Sequence, residues 1–260
     1  MRPYFERNGI ALYHADARDS IETVIVNGTV DLLLTDPPYG MQYESQGPAA
    51  SQNIRGDGAR QGVRVFRQVL FELAHKWQHD AHAYSFCHWE GLPDFYDAMS
   101  TSLSIRNALV WDKAAGGVGD TECDYSRDFE CVLYGLRGRR PLNGRRDGAM
   151  LRGHRGVPSA KRLHPTEKPV SLLAYLILKS TQPGHLVIDP FAGSASTLEA
   201  AKLTGRRAIG FEHDERWLEA AAKRLEQEIL APIPELPPRV GDAVDAYEQG
   251  SLFDGRPGAL

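Results

Sequence analysis

The chain lacks most of the features that would assign it quickly. Among its 260 residues are three cysteines, Cys87, Cys123 and Cys131, an odd number with no CxxC spacing. That sets aside a disulfide framework and a zinc knuckle, and a cytoplasmic setting is the expectation. No run of about 18 apolar residues occurs, so no membrane span is expected. The opening Met1-Arg2-Pro3-Tyr4-Phe5-Glu6-Arg7 has no apolar signal-peptide core. GxGxxG is missing, so this is not the dinucleotide fingerprint, and without GKS or GKT there is no P-loop. There is no internal repeat. His75, His79, His82 and His88 fall close together, with His75 and His79 one helical turn apart. A solvated helix edge accounts for them, and no metal site is expected.

What is present centres on Val30-Asp31-Leu32-Leu33-Leu34-Thr35-Asp36-Pro37-Pro38-Tyr39. Val30 to Leu34 reads as a strand buried on both faces. Two prolines then end the ladder. A carboxylate, two prolyl carbonyls and an aromatic ring are thereby fixed at the carboxyl end of a buried strand, where open α/β sheets place their ligands. Leu186 to Lys202 is a second strand–turn–helix, with the small-residue turn Asp189-Pro190-Phe191-Ala192-Gly193-Ser194-Ala195. Such a turn lets a ligand approach the backbone and the helix N-terminus. Glu212 ends the next strand about 20 residues past Gly193, where a carboxylate can hold both hydroxyls of a ribose.

Periodicity supplies the rest. Strands are expected at Ile10 to Tyr13, Ala81 to Cys87, Asn107 to Trp111, Phe129 to Tyr134, His185 to Ile188 and Arg207 to Phe211. Helices are expected at Ser20 to Val26, Gln61 to Gln78, Leu92 to Leu103, from Thr166 as cap, and from Asp214 to about Leu230. Gly40 to Gly62 and Lys113 to Ser126 read as loops. Trp77, Trp89 and Trp111 are expected in the core or at an interface.

The formal charge is −4, but it is unevenly spread. Between Arg137 and Arg162 nine basic residues (Arg137, Arg139, Arg140, Arg145, Arg146, Arg152, Arg155, Lys161 and Arg162) face one acid, Asp147, leaving +8 there and −12 elsewhere. A basic patch on an acidic body is the footprint of a polyanion site. Five glycines and two prolines lead us to expect little fixed structure there without a partner.

Taken together and in order, Asp36-Pro37-Pro38-Tyr39, Val110-Trp111-Asp112-Lys113, Arg127-Asp128-Phe129-Glu130, His164-Pro165-Thr166-Glu167-Lys168-Pro169, Asp189-Pro190-Phe191-Ala192-Gly193-Ser194 and Gly210-Phe211-Glu212 resemble the β-group amino-directed DNA methyltransferases. The resemblance spans about Ile10 to Leu225. It implies an α/β, Rossmann-like class I methyltransferase sheet, circularly permuted because the catalytic turn precedes the cofactor turn. The Ile10 strand should then lie beside the Arg207 strand. Residues 1–134 would form the catalytic half, 135–163 a basic target-recognition insertion, 164–230 the cofactor half and 231–260 a Pro-rich tail.

The implied cofactor is S-adenosyl-L-methionine, and the implied substrate is double-stranded DNA. Asp36, Pro37, Pro38 and Tyr39 would be catalytic. Asp189, Pro190, Phe191, Ala192, Gly193 and Ser194 would hold the methionine portion, Glu212 with His213 the ribose, and Lys168 and Pro169 would contribute from the preceding segment. Asp16, with Ala15, would bind the cofactor's adenine; a plain helix cap is the other reading of Asp16. Family members usually carry glycine where Ala195 stands. The basic segment, with Arg55 and Arg60 from the earlier loop, would grip phosphates or read bases. Asp36 favours adenine N6 over cytosine N4, since the N4 enzymes more often carry serine there. A catalytically weak DNA-binding relative is the alternative of another class. No Pro-Cys dipeptide is present, which argues against C5-cytosine chemistry. The family often forms homodimers. Finally, Gln249-Gly250-Ser251-Leu252-Phe253 resembles a sliding-clamp docking peptide, contacting through Gln249, Leu252 and Phe253.

Overall fold

The computed structural model describes residues 1–39, 61–113, 122–123, 125–126, 128–157, 167–228 and 233–234. The 40–60 loop, with Arg55 and Arg60, lies outside them, as do Lys161, Arg162, Thr166 and the tail residues Gln249, Leu252 and Phe253. Among the described residues no helix is long and apolar enough to cross a membrane.

The strands are β1 (Phe5–Arg7), β2 (Ile10–His14), β3 (Val30–Thr35), β4 (Trp77–Cys87), β5 (Ser104–Asp112), β6 (Phe129–Arg137), β7 (Met150–Leu151), β8 (Leu186–Asp189) and β9 (Arg207–Glu212). The helices are α1 (Ala17–Val24), α2 (Gln61–Glu72), α3 (Leu92–Ser100), α4 (Val170–Ser180), α5 (Ser196–Leu203) and α6 (Glu215–Glu226). The described strands form one sheet in the order β1-β2-β9-β8-β3-β4-β6-β5-β7. β2, β9, β8, β3 and β4 run parallel, and β6 enters antiparallel between β4 and β5.

β3 explains why the sheet is a middle layer. Leu32 and Leu34 pack with α4, α5 and α6, while Leu33 packs with α1, α2 and α3, joined by Val30 from before a shift in register. From Leu32 to Leu34 successive residues therefore face opposite cores, which is why this stretch has no polar face. The expected closure across the whole chain is found. Ile10 pairs with Ala208 and His14 with Glu212, so the first parallel strand lies beside the last. β3 and β8 are direct neighbours, which puts the Asp36 turn and the Asp189 turn at adjacent strand ends.

Several local expectations are corrected. The helix expected to reach Gln78 stops at Glu72, and Trp77 instead opens β4 opposite Val30. Trp77 fits the helical stripe, but pairing with β3 claims its backbone. His75 and His79 therefore do not share a helix face. The helix expected from Thr166 begins at Val170, with Pro169 as its cap. Proline disfavours helical geometry in the residue before it, so Lys168 stays extended. Trp89 is exposed at its turn, whereas Trp77 and Trp111 are buried. The short strands β1 and β7 carried too few residues for a pattern.

Candidate active site

β3, in the middle of the sheet, delivers Asp36 to its carboxyl end, and Thr35 ties it to the neighbouring turn by donating from Oγ1 to Asp189 Oδ1 at 2.8 Å. The Asp36 carboxylate is held on both oxygens. Tyr39 donates its hydroxyl to Oδ1, and Lys168 Nζ lies 2.5 Å from Oδ2. The ammonium also sits 3.2 Å from Glu130 Oε2, while Lys113 Nζ lies 3.1 Å from Glu130 Oε1. Rings of Phe86 and Tyr39 flank it, 5.1 and 5.7 Å from Nζ. Two cations and two anions thus alternate along a line: Lys113, Glu130, Lys168, Asp36.

The sequence motifs brought these residues forward separately and assigned Lys168 to the cofactor. The fold puts Lys168 on the Asp36 carboxylate. Burial pushes the Asp36 carboxyl above its usual range, with Lys168 pulling the other way. For Glu130, burial is outweighed by Lys168 and Lys113, and its carboxyl lies below the usual range. Burial lowers the Lys168 ammonium less than Asp36 and Glu130 raise it, so it stays charged. Burial and the charge on Asp36 raise Tyr39, so it remains a hydroxyl donor. Cys87 ends β4 near this cluster, but burial pushes its thiol up and it is no nucleophile.

The second turn is built around Asp189. Its Oδ1 also accepts from Phe191 N at 3.1 Å, and burial raises its carboxyl to about 6. Gly193 and Ala195 both hold positive φ, +50° and +61°. The left-handed geometry at Ala195 is what the missing glycine would have supplied freely. Glu212 is buried, and its oxygens accept from Gly193 N at 2.9 Å and Asp214 N at 2.7 Å. Phe191 is half-buried and packs against the same core as Tyr39 and Ala15, and His213 is exposed with Nδ1 3.6 Å from Glu212. Pro190, Ala192, Ser194 and Pro169 are buried at or behind the turn.

Asp16 stands two residues past the β2 register partner of Glu212. It caps α1, accepting from Arg18 N at 2.9 Å, and its carboxylate is clamped by the Arg18 guanidinium at 2.5 Å. The Arg18 bond holds its carboxyl below the usual range.

One residue was not found from sequence. Arg224 of α6 reaches Ser194 O at 3.0 Å and Ser196 Oγ at 2.8 Å, and pairs with Glu167 and Glu199. It fastens the Asp189 turn to the segment that carries Lys168. It lies about thirty residues away on a polar helix edge, where an arginine carries no signal.

The basic segment is more ordered than expected across residues 138–157. Asn143 Nδ2 donates to Leu178 O at 2.6 Å and to Thr181 O at 2.8 Å. Lys179 pairs with Asp147 at 2.7 Å, and Trp111 Nε1 donates to His154 O at 2.7 Å. Arg140, counted among the polyanion contacts, turns inward instead. It pairs with Asp31 Oδ1 at 3.3 Å and donates to the carbonyls of Asp31 and Asp80. Arg137, Arg139, Arg145, Arg146, Arg152 and Arg155 are exposed, though Arg145 is paired with Asp147 at 3.1 Å.

A family model described as DNA methylase matches residues 30–223. YubD of Escherichia coli (strain K12) is 34% identical over 201 residues, covering 75% of this chain and 82% of YubD. The DNA adenine methyltransferase YhdJ of the same strain is 25% identical over 258 residues, covering 85% of this chain and 84% of YhdJ. Among solved structures, the cytosine-N4-specific PvuII DNA methyltransferase matches with a TM-score of 0.72 at 16% identity, over 89% of this chain and 91% of that one. That last likeness is one of fold.

Proposed function

The chain belongs to the N6/N4 DNA methylase family, and on that footing we propose that it is a β-group enzyme that methylates the exocyclic N6 of adenine in duplex DNA, with S-adenosyl-L-methionine as methyl donor. The observation that carries the reading is the juxtaposition of two turns. A half-buried carboxylate, Asp36, stands at the end of β3, and Thr35 beside it is bonded to Asp189 at the head of the neighbouring turn.

The donor set around that second turn fits a nucleoside cofactor. Glu212 is buried and oriented by two backbone amides, with lone pairs left for a diol. Phe191 offers an apolar wall, and the Asp16 carboxylate stands two residues past the end of the adjoining strand β2. When bound, S-adenosyl-L-methionine supplies an electrophilic methyl group. This chain's own residues do the remaining work. The target amine is a poor nucleophile because its lone pair is delocalised into the base. Asp36 and the Pro37 carbonyl accept its two N–H groups and turn that lone pair toward the methyl carbon. The N–C bond forms as the S–C bond breaks, and the amine's surplus proton passes to Asp36 or to water. Burial has already raised the Asp36 carboxyl, which suits it to hold that proton. The Tyr39 ring serves as a stacking face for a base that has left the duplex. Arg137, Arg139, Arg146, Arg152 and Arg155 grip the phosphates.

Asp36 and the adenine-directed relative YhdJ both support adenine; the PvuII likeness bears on fold alone. The test is labelled methyl transfer to duplex DNA followed by nucleoside chromatography. N6-methyladenine is the expected product, and Asp36→Ala should lower the rate at least a hundredfold. Label recovered as N4-methylcytosine would overturn the base assignment, and full activity in Asp36→Ala would overturn the mechanism.

A further inference from the structure

We infer that Glu130 is a positioning residue for the target amine: it takes the Lys168 ammonium from Asp36 as the base enters, leaving Asp36 Oδ2 free to accept the amine. The inference rests on the methyl-transfer reading above and deepens it.

In the structure both Asp36 oxygens are in use, one by the Tyr39 hydroxyl and one by Lys168. An entering amine must displace one of them. Glu130 Oε2 is the alternative seat for the ammonium. It is buried and lies 3.2 Å from Nζ, so the ammonium already bridges the two carboxylates, with the shorter contact, 2.5 Å, to Asp36. A short swing of the lysine tip reverses which contact is the shorter, so the shift exchanges one charge-assisted contact for another.

The surroundings suit such a swing. Glu130 is immobilised by its β-sheet register with Trp111, and its other oxygen is occupied by Lys113. The Lys168 backbone is fixed from both sides, by Pro169 at the cap of α4 and by Glu167 on Arg224. The moving part is then the lysine tip, between two aromatic rings. Lys113 balances Glu130 while Lys168 is on Asp36; once Lys168 has moved, Asp36 keeps the Tyr39 hydroxyl and takes the N–H of the entering amine.

Among the described residues, the charged and titratable groups facing Asp36 are Lys168, Glu130, Tyr39, Cys87 and Asp189. Of these, Glu130→Gln alters one and keeps its shape. With Glu130 neutralised, Lys168 stays on Asp36. We expect the single-turnover methylation rate at its pH plateau to fall at least tenfold. Affinity for S-adenosyl-L-methionine, by calorimetry, should hold within twofold. Because the Glu130 charge helps raise the Asp36 carboxyl, the acid limb of the rate profile should move to lower pH. Carboxyl carbon NMR of Asp36 in the protein without cofactor or DNA should show the same direction. Glu130→Asp should return the limb to its original side and restore part of the rate, and in a Lys168→Met background Glu130→Gln should leave the plateau rate unchanged within twofold, although the limb still moves. A rate loss with an unmoved limb, accompanied only by a lower melting temperature, would reduce Glu130 to a structural role and overturn the inference; if Glu130→Gln does not fold, the limb and rate of Glu130→Asp decide. Wild-type behaviour of Glu130→Gln beside an inactive Asp36→Ala would sink this inference alone, whereas activity in Asp36→Ala would sink the methyl-transfer reading beneath it.

Discussion

At the scale of single residues, Asp189 and Ala195 show how the cofactor turn is made at some cost to stability. The Asp189 carboxyl is raised from 3.8 to about 6 by burial. The folded chain therefore holds this proton more tightly than the unfolded chain. The stability this contributes is full below about pH 4 and is lost as pH rises through about 6. Two units correspond to about 3 kcal/mol. Asp189→Asn keeps Oδ1 as acceptor for Thr35 and Phe191. It should raise stability at pH 8 by about 2 kcal/mol and flatten the change between pH 4 and 6, as read by urea melts across pH. At Ala195 the left-handed backbone costs about 1 kcal/mol, and its buried methyl group returns about 0.8 kcal/mol. Ala195→Gly should shift the melting temperature by less than about 4 °C. Ala195→Val should cost more than about 2 kcal/mol, because a branched side chain does not fit that φ.

At the scale of elements, the basic segment is joined to the sheet rather than hung from it. Arg140 holds Asp31 at the start of β3, and Asp31 Oδ2 also accepts from Leu186 N at 2.9 Å where β8 begins. This one guanidinium fastens the segment after β6 to the two strands that carry the Asp36 and Asp189 turns. Arg140→Ala leaves the Asp31 carboxylate buried without its cation and should cost about 3–5 kcal/mol in a urea melt. Its DNA affinity, measured where the variant is folded, should keep the same salt dependence. Exposed Arg146→Ala should leave the melt unchanged within about 0.5 kcal/mol. The contrast separates an arginine that builds the fold from one that faces a polyanion, a distinction composition cannot make.

At the scale of the whole molecule, a +8 segment sits on a body of −12, so DNA binding should depend steeply on salt. Each phosphate contact releases counterions. The Arg146→Ala, Arg155→Ala double variant should make the slope of log affinity against log salt shallower by roughly 2, with little change in base preference. Fluorescence anisotropy of a labelled duplex across salt concentrations would measure both. The same global view explains the chain order. β2 and β9 are at opposite ends of the sequence and adjacent in the sheet, so the cofactor half is completed only when the two ends of the domain meet.

Some of this was written in local residue chemistry. Two prolines after a run of branched apolar residues fix the catalytic turn wherever the strand goes, and a small-residue turn before a helix fixes the second. Those constraints act within a few residues, so they are legible in order along the chain. The length of α2 was not, because Trp77 satisfies both a helical stripe and a strand, and only its partner Val30 decides between them. Nor were the roles of Lys168, Glu130, Arg140 and Arg224. A lysine before a proline reads the same whether it meets a cofactor or a carboxylate 132 positions away. The sequence determined which groups are presented at the strand ends; the tertiary structure decided which charges they meet, because charge pairing depends on distance in space, which local pattern does not encode.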